Sequence, residues 1–154
     1  MSNISARPNN YQGRLRLGLI IVLIGELVFI LGTDPGVFGL DRSPVTGFVQ
    51  ISVFLVGEAL ICLGGYFAFN ALWAGEEKSI LADIGLRVIS TGYLISFASG
   101  LADVFGFGSH LYPNIPYFGP VQAIGVMIGL GVIIAGFVLL IPYHMRHKLE
   151  APER

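Results

Sequence analysis

The chain has 154 residues, the size of one domain, but 54 % are apolar and only 12 % are charged. The charged share is about half of the roughly 25 % found in globular domains. A mean hydropathy of +0.75 indicates an integral membrane protein. The net charge of -1 excludes a nucleic-acid binder that neutralises phosphates through a basic surface. The single cysteine, Cys62, excludes an internal disulfide and a zinc cluster built from cysteines.

Four apolar stretches are long enough to cross a bilayer, which needs about 20 residues of helix. They cover residues 15–32, 46–73, 79–107 and 119–141, and they leave tails at 1–14 and 142–154. We therefore expect an all-α membrane protein with four transmembrane helices in a compact antiparallel bundle, and with the lipid bilayer as its surroundings.

Positive charges near span ends predict the orientation, because such residues are retained in the cytoplasm. Eight of the nine lie at one predicted end of the bundle, and Arg42 lies at the other. The eight are Arg7, Arg14, Arg16, Lys78, Arg87, Arg146, Lys148 and Arg154. We expect a bacterial plasma-membrane protein with both termini cytoplasmic. Because residues 32–35 lack an A-x-A cleavage pattern, we interpret the first span as an anchor that is not removed.

Small residues recur every seven positions along each predicted span. In lipid, helices associate through close backbone approach and interhelical hydrogen bonds, and small residues permit both. We name the following residues the glycine seam and expect them at helix contacts: Gly18, Gly25, Gly57, Gly64, Gly92, Gly129 and Gly136. Gly125 and Gly129 could instead form an oligomer contact.

The two halves of the chain are weakly similar to each other. Val-Phe-Gly at 37–39 recurs at 104–106, and Gly-x-Val-Gln at 47–50 recurs at 119–122. Matching residues 15–16 to 86–87 places Phe97 where Glu26 stands, and matching residues 47–50 to 119–122 places Leu130 where Glu58 stands. The pattern predicts a tandem duplication of two-helix hairpins, related by an axis along the membrane normal. Chance similarity between glycine-rich apolar segments is the alternative.

Glu26 and Glu58 are predicted to lie inside the membrane, where a charge costs at least about 2.5 kcal/mol. Each follows a glycine of the seam, so we expect both at helix contacts. With no cation at the same depth, at least one should be protonated. It could donate to a hydroxyl group (Ser52, Ser90, Thr91 or Ser96), or the two acids could share a proton. Their role is either structural or that of a proton or cation site.

A polar stripe follows the third span towards its outer end. It consists of Ser96, Ser99 and Asp103. The stripe could bond a neighbouring helix or line a wet vestibule. Asp83 and Arg87 are four residues apart and should form a surface ion pair.

No cofactor, metal site or enzyme motif is recognisable in the sequence. His110, His144 and His147 all lie outside the spans, which argues against a haem held by two histidines within the bundle. The stiff, aromatic outer loop from Tyr112 to Pro120 is a natural docking surface.

Two short segments resemble known families. Arg14, Leu17, Gly18 and Gly25, together with residues 58–65, are similar to the DoxX group of small four-span proteins. That group tends to carry a basic residue where this chain has Val28 and Phe29. The resemblance implies an association with membrane oxidoreductases. The chain also resembles the small multidrug exporters in having a central glutamate in its first span. The aromatic residues around the substrate pocket of those exporters are not recognisable here.

The sequence thus leaves three functions open. The first is a non-enzymatic subunit of a larger membrane complex, or a homo-oligomer. The second is a small proton- or cation-coupled transporter or channel. The third is the DoxX-like role.

Overall fold

The computed structural model describes residues 11–40, 47–73, 78–107 and 118–142. Its helices are α1 (Tyr11–Thr33), α2 (Phe48–Leu72), α3 (Ile80–Gly100) and α4 (Pro120–Leu140), and a short 3-10 turn follows α1 (Pro35–Phe38). All four α-helices are long and apolar enough to span a membrane. The prediction of a helical protein with four candidate spans is therefore confirmed.

The helix bounds differ most from the prediction at α3. It ends at Gly100 instead of continuing to residue 107, and residues 101–106 form turns. Gly106 has φ +80°, and the flanking amides of Gly106 and Phe107 bond back to Asp103 and Ala102. At the other end of the chain, α1 begins at Tyr11 and includes the last residues of the predicted N-terminal tail. Most of both predicted tails lies outside the described residues.

The α2 and α4 helices begin with the same local structure. The Gly47 amide donates to the Gln50 side-chain oxygen at 2.9 Å, and the Gly119 amide donates to that of Gln122 at 2.8 Å. Each glutamine thereby satisfies an amide that the helix itself leaves open. At the start of α3, the Ser79 hydroxyl oxygen accepts from the Ala82 amide at 3.2 Å.

α1 packs along α2 through glycines. A β-carbon at Gly25 would lie 2.9 Å from the carbonyl oxygen of Gly57. One at Gly18 would lie 2.8 Å from the carbonyl oxygen of Gly64. No side chain fits at these positions without moving backbone, so the two helices touch along their main chains. We call this pair the first hairpin.

α3 and α4 approach each other in the same manner. A β-carbon at Gly92 would lie 2.7 Å from the Gly129 carbonyl oxygen, and one at Gly85 would lie 2.7 Å from that of Gly136. We call α3 and α4 the second hairpin. Within each hairpin, the pairings bring the start of one helix beside the end of the other.

The two hairpins meet through α2. The Trp73 indole N–H donates to the Leu140 carbonyl oxygen at 3.1 Å. Phe69 and Phe137 stack with ring centroids 5.7 Å apart, and Gly65 leaves space for the Phe137 ring. Among the described residues, α1 packs against α2, and no Cα atom of α1 lies within 8 Å of a Cα atom of α3 or α4. The arrangement is thus more open than the compact bundle we expected, with α1 at its edge.

The turns that follow α1 and α3, the first helices of the two hairpins, have the same local structure. Gly39 has φ +67° and Gly106 has φ +80°, both in the left-handed region that favours glycine. The Gly39 amide bonds to Gly36 at 2.9 Å and the Leu40 amide to Pro35 at 3.0 Å, the same bonding pattern as that around Gly106. This pattern closes a helix C-terminus by the Schellman arrangement.

Candidate functional site

Glu58 is the most deeply buried ionisable residue in the described part of the chain. It lies on α2, next to Gly57, and is 1 % exposed. Neither carboxyl oxygen has a hydrogen-bond partner among the described residues. Buried polar groups are nearly always bonded, so an unsatisfied carboxyl at this depth requires an explanation.

The surroundings of Glu58 come from α2 and α3. Ser96 lies beside the carboxyl, although the two do not meet hydrogen-bond geometry. Its own hydroxyl donates across the second hairpin to the Val126 carbonyl oxygen at 3.3 Å. Cys62, one turn along α2, and Tyr93, one turn along α3, are close enough to interact electrostatically with Glu58. These four side chains, Glu58, Cys62, Tyr93 and Ser96, form what we call the Glu58 cluster.

A groove lies beside the Glu58 cluster, between α2 and α3. Its volume is about 480 Å³, and it is open to the exterior of the bundle. Cys62 and Tyr93 line the groove and also neighbour Glu58, which is not itself a lining residue. The other lining residues are Ala59, Leu63, Tyr66, Leu86, Ile89 and Ser90.

Glu26 does not join this cluster. It lies on α1 next to the buried Gly25, but its own side chain is exposed. The expectation that both acids lie at helix contacts is therefore wrong for Glu26. They share no proton, since Glu58 has no hydrogen-bond partner in the described part of the chain. A residue next to a packing glycine can lie on the free side of its helix, and here only α2 is covered by the second hairpin.

The other hydroxyl groups considered for the glutamates are engaged locally. The Ser52, Ser90 and Thr91 hydroxyls donate to carbonyl oxygens one turn earlier in their own helices, at 2.9, 3.1 and 2.9 Å. This bonding is usual for hydroxyl side chains within helices. Of the four candidates, Ser96 alone belongs to the Glu58 cluster.

The polar stripe of α3 turns towards α4. Ser96 is fully buried, and a β-carbon at Gly129 would collide with its hydroxyl oxygen. The Ser99 side chain lies in the space that a side chain at Gly125 would need. Asp103 is 9 % exposed, in the turn after α3. Ser96 and Ser99 therefore lie in a helix contact, and the geometry does not favour a vestibule there.

One prediction about the surface is confirmed, and the others concern residues outside the described ranges. Asp83 and Arg87 form the predicted ion pair, with 3.2 Å between Oδ2 and Nη2. Most of the proposed docking loop, the three histidines and the charges Arg7, Arg42, Arg146, Lys148 and Arg154 lie outside the described residues. Within the described ranges, no three side chains are arranged to hold a metal ion.

Cys62, Tyr93 and the groove were not predicted from the sequence. Two spacings could have indicated them, because Cys62 is one helical turn from Glu58 and Tyr93 is one turn from Ser96. The sequence does not specify that α2 and α3 pack against each other.

Comparison with known proteins gives no assignment: no family model, no curated protein and no solved structure matches the chain. The DoxX resemblance therefore has no support beyond the quoted residues.

Proposed function

We propose that this protein is non-enzymatic and acts by association within a membrane, as a homo-oligomer or as a small subunit of a larger assembly. The observation that carries the proposal is the exposed side chain of Glu26. It is located about 10 Å along the helix from the outer end of α1, by residue rise. An acid facing lipid at this depth is costly, and contact with another protein surface removes that cost.

The architecture we propose is an antiparallel set of glycine-packed hairpins produced by tandem duplication. Matching backbone approaches at Gly25–Gly57 and Gly92–Gly129 support it. The shared left-handed glycines, Gly39 and Gly106, and the matching glutamine caps also support it. When Gly25 is aligned with Gly92, Glu26 corresponds to Tyr93. The sequence match instead aligned Glu26 with Phe97, which lies one helical turn further along α3.

We also propose that both termini lie in the cytoplasm, in a plasma membrane. The pairing of Gly18 with Gly64 supports a common side for the start of α1 and the end of α2. Arg14 and Arg16 are at the first of these ends, and Lys78 follows the second. Cationic residues at one end of a bundle are typical of its cytoplasmic side.

Co-purification tests the association. Two versions of the full chain, each with a different tag, are expressed together, and one is captured after solubilisation in mild detergent. We expect the second tag to accompany the first, and the complex to persist in lipid nanodiscs with a mass of two or more copies. Monomeric particles from native membranes that carry no other subunit would contradict association.

A second function, a proton- or cation-coupled transporter or channel, is favoured by one observation. The buried carboxyl of Glu58 lacks a hydrogen-bond partner in the described part of the chain. Intramembrane acids without a structural partner often mark ion or proton pathways. The test is flux in proteoliposomes of the parent and of Glu58→Gln, which keeps hydrogen bonding but does not ionise. Flux lost with the fold intact supports transport, whereas a parent without flux counts against it.

A further inference from the structure

We infer that α1 pairs with α1 of a second copy of this chain, through the face that carries Glu26, and that the two Glu26 carboxyls hydrogen-bond to each other. The inference rests on the proposed association and specifies its contact. The contact is two-fold symmetric, with the two α1 helices side by side and pointing the same way. Such closed dimers are the commonest form of homo-oligomer.

α1 is the least covered of the four helices. In its most apolar stretch 17 % of residues are buried, against 39 % in α2 and 28 % in α3 and α4. Its buried residues are the three glycines that face α2, Gly18, Gly25 and Gly32. The remainder of its circumference is free for another helix.

Glu26 distinguishes this free face from an ordinary lipid-facing surface. Its side chain is exposed, and no hydrogen bond or ion pair joins it to another residue of the described ranges. Exposed Leu19 and Leu23 share its side of α1. An acid within this leucine-rich face needs a hydrogen-bonding group at its own depth.

The matching face of α3 is already a packing face. Tyr93 follows Gly92 as Glu26 follows Gly25, and Tyr93 packs against the cluster formed by Ile89 and Ile133. Tyr93 also neighbours Glu58 of α2. The face of α3 that carries Tyr93 is therefore packed against other helices, whereas the corresponding face of α1, which carries Glu26, is exposed.

The chemistry of Glu26 selects the partner surface. A carboxylic acid both donates and accepts, so two of them at one depth satisfy each other. Symmetric pairing of parallel helices brings Glu26 to the same depth in both copies without further adjustment. α4 offers no such group, since Gln122, at its N-terminal end, is its only polar side chain and already caps the helix.

Single cysteines in a Cys62→Ala background test the contact in proteoliposomes of the full chain. Leu23→Cys lies about 60° from Glu26 around the helix, and Ile24→Cys lies about 160° away. Both native residues are exposed, 65 % and 50 %, so Ile24→Cys is a matched control. We expect mild oxidation to form a disulfide-linked dimer with Leu23→Cys and not with Ile24→Cys.

Substitution of Glu26 tests the carboxyl pair. Glu26→Leu should weaken dimerisation about tenfold, the equivalent of two interhelical hydrogen bonds. Glu26→Gln should remain within about threefold of the parent, because paired amides also donate and accept. Because the side chain is exposed, both variants should keep the parental circular dichroism spectrum.

The outcomes separate this contact from association in general. Dimerisation of Glu26→Leu equal to that of the parent, or cross-linking through Ile24→Cys instead, overturns the inference. An oligomer that forms without a Leu23→Cys cross-link overturns the α1 contact and leaves association standing. A parent that is monomeric in native membranes and carries no other subunit overturns both.

Discussion

Gly25 of α1 lies against the main chain of Gly57 of α2, so closely that a β-carbon on either residue would sit within 2.9 Å of the other's carbonyl oxygen. Close approach of this kind is how helices gain dispersion energy in lipid, where no hydrophobic effect drives them together. The same relationship recurs between Gly92 and Gly129 in the second hairpin.

Substitution of Gly57 should therefore destabilise the protein. A β-carbon there would collide with the main chain of Phe29, which cannot move without separating the helices. We expect Gly57→Ala to lower the free energy of unfolding by about 1–3 kcal/mol. Denaturant titration in bicelles, followed by the fluorescence of the lone tryptophan, measures it.

Gly131→Ala is the control for that substitution. Gly131 is also within a helix, but a β-carbon there meets nothing within 4 Å. Its unfolding free energy should equal or exceed that of the parent. Equal losses in the two variants would contradict the close-packing explanation.

The bond from Trp73 to Leu140 should contribute to holding the hairpins together. Trp73→Phe keeps an aromatic ring but leaves the buried Leu140 carbonyl oxygen without this donor. We expect a loss of about 1 kcal/mol in unfolding free energy, measured by thermal denaturation in detergent. Tyr66→Phe, which removes a hydroxyl from a nearby aromatic residue, should change stability less. The reverse order of the two losses would argue against the bond.

The matching glutamine caps at the starts of α2 and α4 should each contribute to stability. Gln50→Ala and Gln122→Ala each leave a glycine amide open at a helix start, and each should cost about 0.5–2 kcal/mol. Gln122 is the more buried, at 6 % exposure, so its variant should lose more. Gln→Glu at either position keeps the acceptor oxygen and should retain most of the stability. Alanine variants as stable as the parent would show that the caps contribute nothing.

Glu58→Leu is expected to fold at least as stably as the parent. The carboxyl has no hydrogen-bond partner in the described part of the chain, so an apolar side chain removes an unsatisfied group from the interior. Unfolding free energies in bicelles should show no decrease, whereas Ser96→Ala, which loses its bond to Val126, should lose about 0.6 kcal/mol. A large loss in Glu58→Leu would mean that the carboxyl is bonded and structural.

Local pattern was sufficient to predict the number of candidate spans and the starts of α2, α3 and α4 to within two residues, but not the start of α1. Ser79 and Gln50 act on backbone amides within the same helical turn, so their roles are readable from sequence spacing. The end of α3 was missed because apolar residues continue to Phe107, whereas the left-handed turn at Gly106 belongs to the connection.

The candidate site was less predictable, because it depends on how the hairpins meet. Both glutamates follow a packing glycine, yet Glu58 is buried and Glu26 is exposed. The difference arises from contacts such as Gly65 with Phe137, between residues far apart in the chain.

We propose that this chain crosses a membrane four times and that both of its ends lie on the cytoplasmic side. Reporter domains fused to the two termini, one active only in the cytoplasm and one only outside it, test this directly. We predict that both termini activate the cytoplasmic reporter and that neither activates the other. Reporters active on opposite sides would contradict four crossings and the orientation of every helix described above.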